Sequence, residues 1–185
     1  MHHRIPATLV ITAVLALASA AVSPVHGSEH AEGRDSAVGA GTSTFPVTGG
    51  PISFAFAAHS DPSGAAPGGY FRSETDVDGD DPIEPFTVQG EVTCLRVDGD
   101  RASFKYRFDR TAGSAEPFDG GGIQIFVEDN GKPRGGEPVD AMTFDPPQPA
   151  GVYDLRATQC DDPNTRVTYE RIDSGNITVR DAEPE

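Results

Sequence analysis

The stretch VQGEVTCLRVDGDRASFKYRF, Val88 to Phe108, decides the fold class. In its second half Phe104, Tyr106 and Phe108 alternate with Ser103, Lys105 and Arg107. A period of two sends alternate side chains to opposite faces of an extended strand, whereas a helix would need a period near 3.6. In its first half Val88, Val92 and Cys94 share one parity, and the phase then moves to Leu95 and Val97. Gly90, inside this run, is expected to mark a bulge or bend. Asp98-Gly99 between the two runs is a tight-hairpin signal. The stretch therefore predicts two antiparallel strands, each with one buried face.

The same period recurs on both sides. Ile52, Phe54, Phe56 and Ala58 form one run, and Ile123, Ile125 and Val127 another. Tyr153 and Leu155, Val167 and Tyr169, and Ile177 and Val179 suggest three more, and Tyr70-Phe71 a possible start of a further strand. Asn130-Gly131, the run Gly120 to Gly122 and Pro146-Pro147 punctuate them as loops. After the N-terminal segment no stretch sustains a helical apolar period. The expectation is an all-β fold, a single antiparallel β-sandwich or β-barrel of about eight strands. Alternation alone does not separate sandwich from barrel, because both place alternate residues inside and outside.

Residues 1–27 read differently. A short basic start ending at Arg4 precedes a mostly apolar run from Ile5 to Val22, followed by small residues at Ala18-Ser19-Ala20 and Val25-His26-Gly27. This is the pattern of a secretory signal peptide, with cleavage expected after Ala20 or Gly27. Pro6, Pro24 and the small-residue end favour cleavage over a membrane span, so no span is expected in the mature chain. Residues 28–50, rich in Gly, Ser, Thr and charge, are expected to be a flexible tail. The β domain is placed at 51–182 and a C-terminal tail at 183–185.

Without residues 1–27 the chain has 13 basic and 29 acidic residues, a net charge of −16. Such an excess favours solubility and repels anionic partners, so nucleic acid and anionic membranes are not expected as ligands. Cys94 and Cys160 are the two cysteines. An even count in an exported chain reads as one disulfide. The other reading, two free thiols in a redox or metal site, lacks a CxxC motif.

Four segments carry a resemblance: GAAPGGYF (64–71), VQGEVTCLRVDGDRA (88–102), VEDNGKPRGGEPVD (127–140) and SGNITVRDA (174–182). In order and spacing they resemble a group of small secreted β-rich proteins of actinobacteria, over roughly Ile52 to Ala182. The resemblance implies an extracellular β domain and implies that Cys94 and Cys160 pair. It supplies no catalytic residues. Arg180 stands where the group's pattern has His, and Asp100 where it has Asn.

Candidate chemistry is sparse. Asp76, Asp78 and Asp80 in DVDGDDP lie at alternate positions, as calcium-loop carboxylates do, and Asp81 and Glu84 follow. Asp81 stands where an EF-type loop needs glycine and Thr87 where it needs glutamate, so only a non-EF calcium site is left. A solvated acidic loop is the competing reading. Glu128, Asp129, Glu137 and Asp140 form a second acidic group. There Asp129-Asn130-Gly131 is expected to be a turn whose carboxylate bonds local backbone N–H groups; a ligand-binding or second metal loop is the alternative. His59 is the only histidine beyond the tail, beside Ser60 and Asp61. Sequence neighbours seldom converge as a triad, no G-x-S-x-G is present, and His59 is expected to face solvent or a loop. Phe126 falls on the polar face of its strand, which suggests either a binding patch or a covered second face.

These observations predict a secreted, non-catalytic β domain, an extracellular or cell-envelope binding module whose partner the sequence does not identify. One alternative is a secreted enzyme, such as a hydrolase, with calcium-binding acidic loops. Another is a barrel that carries a small ligand, which would require an internal cavity.

Overall fold

The structure is a computed structural model that describes residues 33–44, 50–75, 84–132, 139–165 and 168–182. Within them the chain forms one antiparallel sheet curled into a half-barrel, with almost no helix. Its strands are β1 (Asp35–Thr44), β2 (Pro51–Ser60), β3 (Gly68–Thr75), β4 (Phe86–Asp98), β5 (Arg101–Arg107), β6 (Arg110–Gly113), β7 (Gly122–Glu128), β8 (Ala141–Phe144), β9 (Glu170–Arg171) and β10 (Ser174–Arg180). Their order across the sheet is β10-β1-β2-β3-β4-β5-β7-β8-β9, and β6 pairs with the start of β4. From β1 to β9, apart from that excursion, the order is a meander; β10, next after β9 in sequence, pairs instead with β1.

The central hairpin forms as its sequence indicates. Asp98 pairs with Arg101, and Gly99 takes φ 65° at the first loop position, where a II′ hairpin turn demands glycine. The ladder's irregularity lies between Val92 and Cys94, not at Gly90. Gly90 serves close approach instead. A Cβ there would sit 1.5 Å from the Arg107 carbonyl oxygen, where the chain leaves β5 for β6. The extra residue, Thr93, leaves Val92 and Leu95 in the core, while Cys94 lies opposite Lys105. That is the phase change seen in the sequence.

One hydrophobic core lines the concave face. Ile52, Phe54, Phe56 and Ala58 of β2 are buried, as are Phe104 and Tyr106 of β5, and Phe108 just after it. Their rings form a continuous ladder with Phe71: Phe56–Phe104 centroids are 4.9 Å apart, Phe71–Tyr106 4.3 Å and Tyr106–Phe108 5.3 Å. Such offset and edge arrangements suit the aromatic quadrupole.

Two expectations are corrected. Asp35–Thr44 is not a tail but a ten-residue strand between β10 and β2. An aromatic ring lies over Gly39, where a Cβ would be 2.7 Å from the Phe56 ring, and a Cβ on Gly41 would be 2.0 Å from the Ser174 carbonyl oxygen. The run at Tyr153 and Leu155 is not a strand. Ala150–Tyr153 is a single helical turn, α1, and Leu155 is 79% exposed. Two alternating apolar positions are too few to fix a strand, and Pro146, Pro147 and Pro149 upstream lack the N–H that a ladder needs. Val167 of the next run lies outside the described residues, and β9 begins only at Glu170.

The segment around α1 covers the second face of β5 and β7. The Ser103 hydroxyl donates to the Asp161 carbonyl (2.5 Å), and Lys105 Nζ to the Arg156 carbonyl (3.1 Å). Thr93 Oγ1 donates to the Ala157 carbonyl and hydrogen-bonds the Tyr153 hydroxyl, both at 2.6 Å. The Cys94–Cys160 disulfide, with Cα atoms 5.8 Å apart, fastens the same cover. Phe126 is consequently buried, so the covered-face reading holds.

Candidate functional site

The concave face is not filled from end to end. Where β3 ends, β4 begins and β8 ends, a cavity of about 220 Å³ remains. Phe71, Tyr106 and Phe108 of the ring ladder form one wall, and Ile125, Met142 and Phe144 line it too. The turn after β6 contributes Ser114, Ala115 and, from the short 3-10 helix at Glu116–Phe118, Phe118. Among the described residues that line it there is no carboxylate, amine, guanidinium or imidazole. The one titratable group is the Tyr106 phenol, whose ordinary value burial pushes well upward, so it stays neutral. Such a space suits an uncharged ligand, because an unpaired charge there would lose its hydration without compensation.

Ser73 lines this cavity and is 4% exposed. Its cross-strand neighbours are Phe54 and Val88, which offer no polar side-chain atom. Two residues on, Thr75 Oγ1 is already engaged with Phe86, accepting its N–H at 3.0 Å. Among the described residues three buried serine hydroxyls, those of Ser43, Ser60 and Ser73, have no hydrogen-bond partner, and of the three only Ser73 lines the cavity.

A second, polar cavity of about 120 Å³ lies under the cover, between Lys105, Gln124, Asp145, Tyr153, Arg156 and Asp161. Burial lowers the Lys105 ammonium from its usual value, against the opposing pull of Asp161 and Asp145. Burial raises the Asp145 carboxyl, and the Asp161 charge adds to that. Asp161 is held by Arg156 at 2.6 Å; with the Gln124 amide turned so that its NH2 faces the carboxylate, that amide donates at 3.1 Å and accepts the Asp161 N–H at 2.9 Å. The charges are matched within the cluster, and its bonds join the cover to β5 and β7.

The acidic groups read from sequence separate. Asp76, Asp78 and Asp80, the calcium candidates, lie outside the described residues with Asp81 and Glu137. Among the described residues no group of three His, Cys, Asp or Glu is placed to hold a metal. Asp129 forms the expected turn, its Oδ1 accepting the Gly131 N–H at 2.9 Å. Its Oδ2 also accepts the Val179 N–H of β10 at 3.1 Å. Asp140, 1% exposed, accepts the N–H groups of Asn130 (3.0 Å) and Ile177 (2.7 Å). Glu128 pairs across the ladder with Arg101, whose Nε lies 2.8 Å from its Oε1. These three carboxylates hold backbone and neighbours. His59 is exposed while Ser60 beside it is fully buried, so the two point to opposite faces and form no dyad.

The cavity was not visible in the sequence. Its lining residues carry the same alternating pattern as the packed core, and Ser73 is one serine among many. Comparison with protein-family models, curated proteins and solved structures returns no match. A disulfide is present, and among the described residues no helix is long and apolar enough to cross a membrane.

Proposed function

We propose that this chain is an exported, non-catalytic binding protein whose half-barrel holds one small apolar molecule. The observation that carries this reading is the half-open apolar cavity of about 220 Å³ beside the aromatic rings of Phe71 and Tyr106. Protein interiors are close-packed, and voids larger than a water molecule are few. An apolar cavity of about 150 Å³ is known to take up benzene, so this space suits a single substituted ring or an aliphatic molecule of similar bulk. The leader pattern and the disulfide support export, since disulfides persist in oxidising compartments.

A thermal melt of the mature protein in p-xylene tests the reading. Binding to the folded state alone raises the melting temperature as ligand exceeds its dissociation constant. A saturable rise is expected, and Ala115→Leu, which occupies part of the cavity, should diminish it. Absence of a rise, or an equal rise in the variant, contradicts the proposal.

A further inference from the structure

We infer that Lys105 is a reactive amine that condenses reversibly with a short polar aldehyde in the cavity under the cover. This site is separate from the apolar cavity and does not depend on that reading. Three observations carry it. Lys105 is 8% exposed, and among the described residues its nitrogen makes one hydrogen bond, to the Arg156 carbonyl at 3.1 Å. It belongs to none of the ion pairs found there, and Asp161 is taken instead by Arg156 at 2.6 Å. The charges of Asp161, Arg156 and Asp145 all act on the Lys105 nitrogen, and all three residues line the cavity, which sets the amine beside the open space. Gln148 and Arg156 of the lining are exposed, so that space reaches solvent.

A lysine withdrawn from water and left without an ion pair gives up its proton more readily, and the neutral amine is the nucleophile of imine chemistry. Burial does this here, outweighing the Asp161 and Asp145 charges, and the Arg156 charge adds to it. When the neutral amine donates to the Arg156 carbonyl, its lone pair is left for a carbonyl carbon. The lone pair forms the C–N bond, the C=O bond breaks, and the two amine protons leave with the oxygen as water. Hydrolysis reverses the step. At about 120 Å³ the cavity is smaller than the ~150 Å³ that takes up benzene. Its amide, phenol and carboxylate lining suits hydroxyl groups. The class is therefore a short hydroxylated aldehyde, not an aromatic one.

The chain has two lysines, Lys105 and the exposed Lys132, so each serves as the other's control. The mature protein is treated at neutral pH with glycolaldehyde and cyanoborohydride, which reduces the imine to a stable secondary amine, and the modified peptides are quantified by mass spectrometry. Lys105 should be modified several-fold faster than Lys132. With 2-naphthaldehyde, too large for the cavity, the order should reverse. In guanidinium chloride, with the fold lost, the two lysines should react with glycolaldehyde at similar rates. Modification of Lys105 no faster than Lys132 in the folded protein overturns the inference. A preference for Lys105 that persists with 2-naphthaldehyde or in guanidinium chloride overturns it as well, because the cavity would then not be its source.

Discussion

Asp140 shows how one side chain can replace a strand pairing. Among the described residues the half-barrel does not close through a ladder, and β10 leaves N–H groups on the side away from β1. The Asp140 carboxylate takes the Ile177 N–H, and Asp129 takes the Val179 N–H. Asp140 also accepts from Asn130, and its own carbonyl accepts the Ile172 N–H. Hydrogen bonds to a charged acceptor contribute about 1.5–3 kcal/mol each, and a buried donor left without one is costly. Asp140→Ala should therefore destabilise the fold by about 3 kcal/mol or more in urea unfolding, whereas a loss under 1 kcal/mol would show the seam to be held by other contacts. Two further carboxyls give the pH response opposite signs. Burial would raise Glu128, but hydrogen bonds from Asn130 and Arg101, with the Arg101 charge, outweigh it and hold it below its usual value of 4.5. Its stabilisation is present above about pH 4.5 and is lost as pH falls through the lower folded value. In urea midpoints from pH 7 to 3, Glu128→Gln should start below wild type and converge with it in acid. Asp145 is raised above 3.8 by burial and by Asp161, so its ionised form opposes folding. Asp145→Asn should raise the melting temperature at pH 7, with the gain vanishing below about pH 3.8.

Among the elements, the strands with several alternating large apolar residues were legible, whereas β1, β6, β8 and the cover were not. β2 and β5 announce themselves through alternating Phe, Tyr and Ile. In β1 the positions of that parity are Asp35, Ala37, Gly39, Gly41 and Ser43; the Phe56 ring at Gly39 and the Ser174 carbonyl at Gly41 leave no room for a side chain. A composition of Gly, Ser and Thr then looks like a tail although the strand is paired on both sides, with β10 and β2. The cover is another case. Tyr153 is buried there and hydrogen-bonded to Thr93, a bulge residue distant in sequence, and only tertiary contact determines that. The cysteine count did predict the bond that secures it. Removal of a native disulfide typically costs 2–5 kcal/mol, on the order expected for a loop of this length. Cys94→Ser/Cys160→Ser should lose about that much in urea unfolding, and hydrogen exchange should quicken first at residues 150–160. Retention of slow exchange there would mean that Ser103, Lys105 and Thr93 hold the cover unaided.

For the whole molecule, antiparallel β architecture was readable, but its curvature and its vacancy were not. A cavity is defined by what side chains from many strands fail to fill, and no local pattern records that. Phe71 and Ile125 look like core residues in the sequence and are core residues in the fold, yet both also face the open space. The apolar lining without charge and the neutral Tyr106 phenol make this end of the half-barrel a place where an uncharged ligand gains by leaving water. The most direct measurement is an amide chemical-shift titration of the isotope-labelled mature protein with p-xylene. The account predicts saturable shifts confined to β3 around Phe71–Ser73, to the start of β4, and to Ala115 and Ile123–Ile125. No shifts, or shifts centred on the exposed outer residues Val38 and Tyr70, would contradict it.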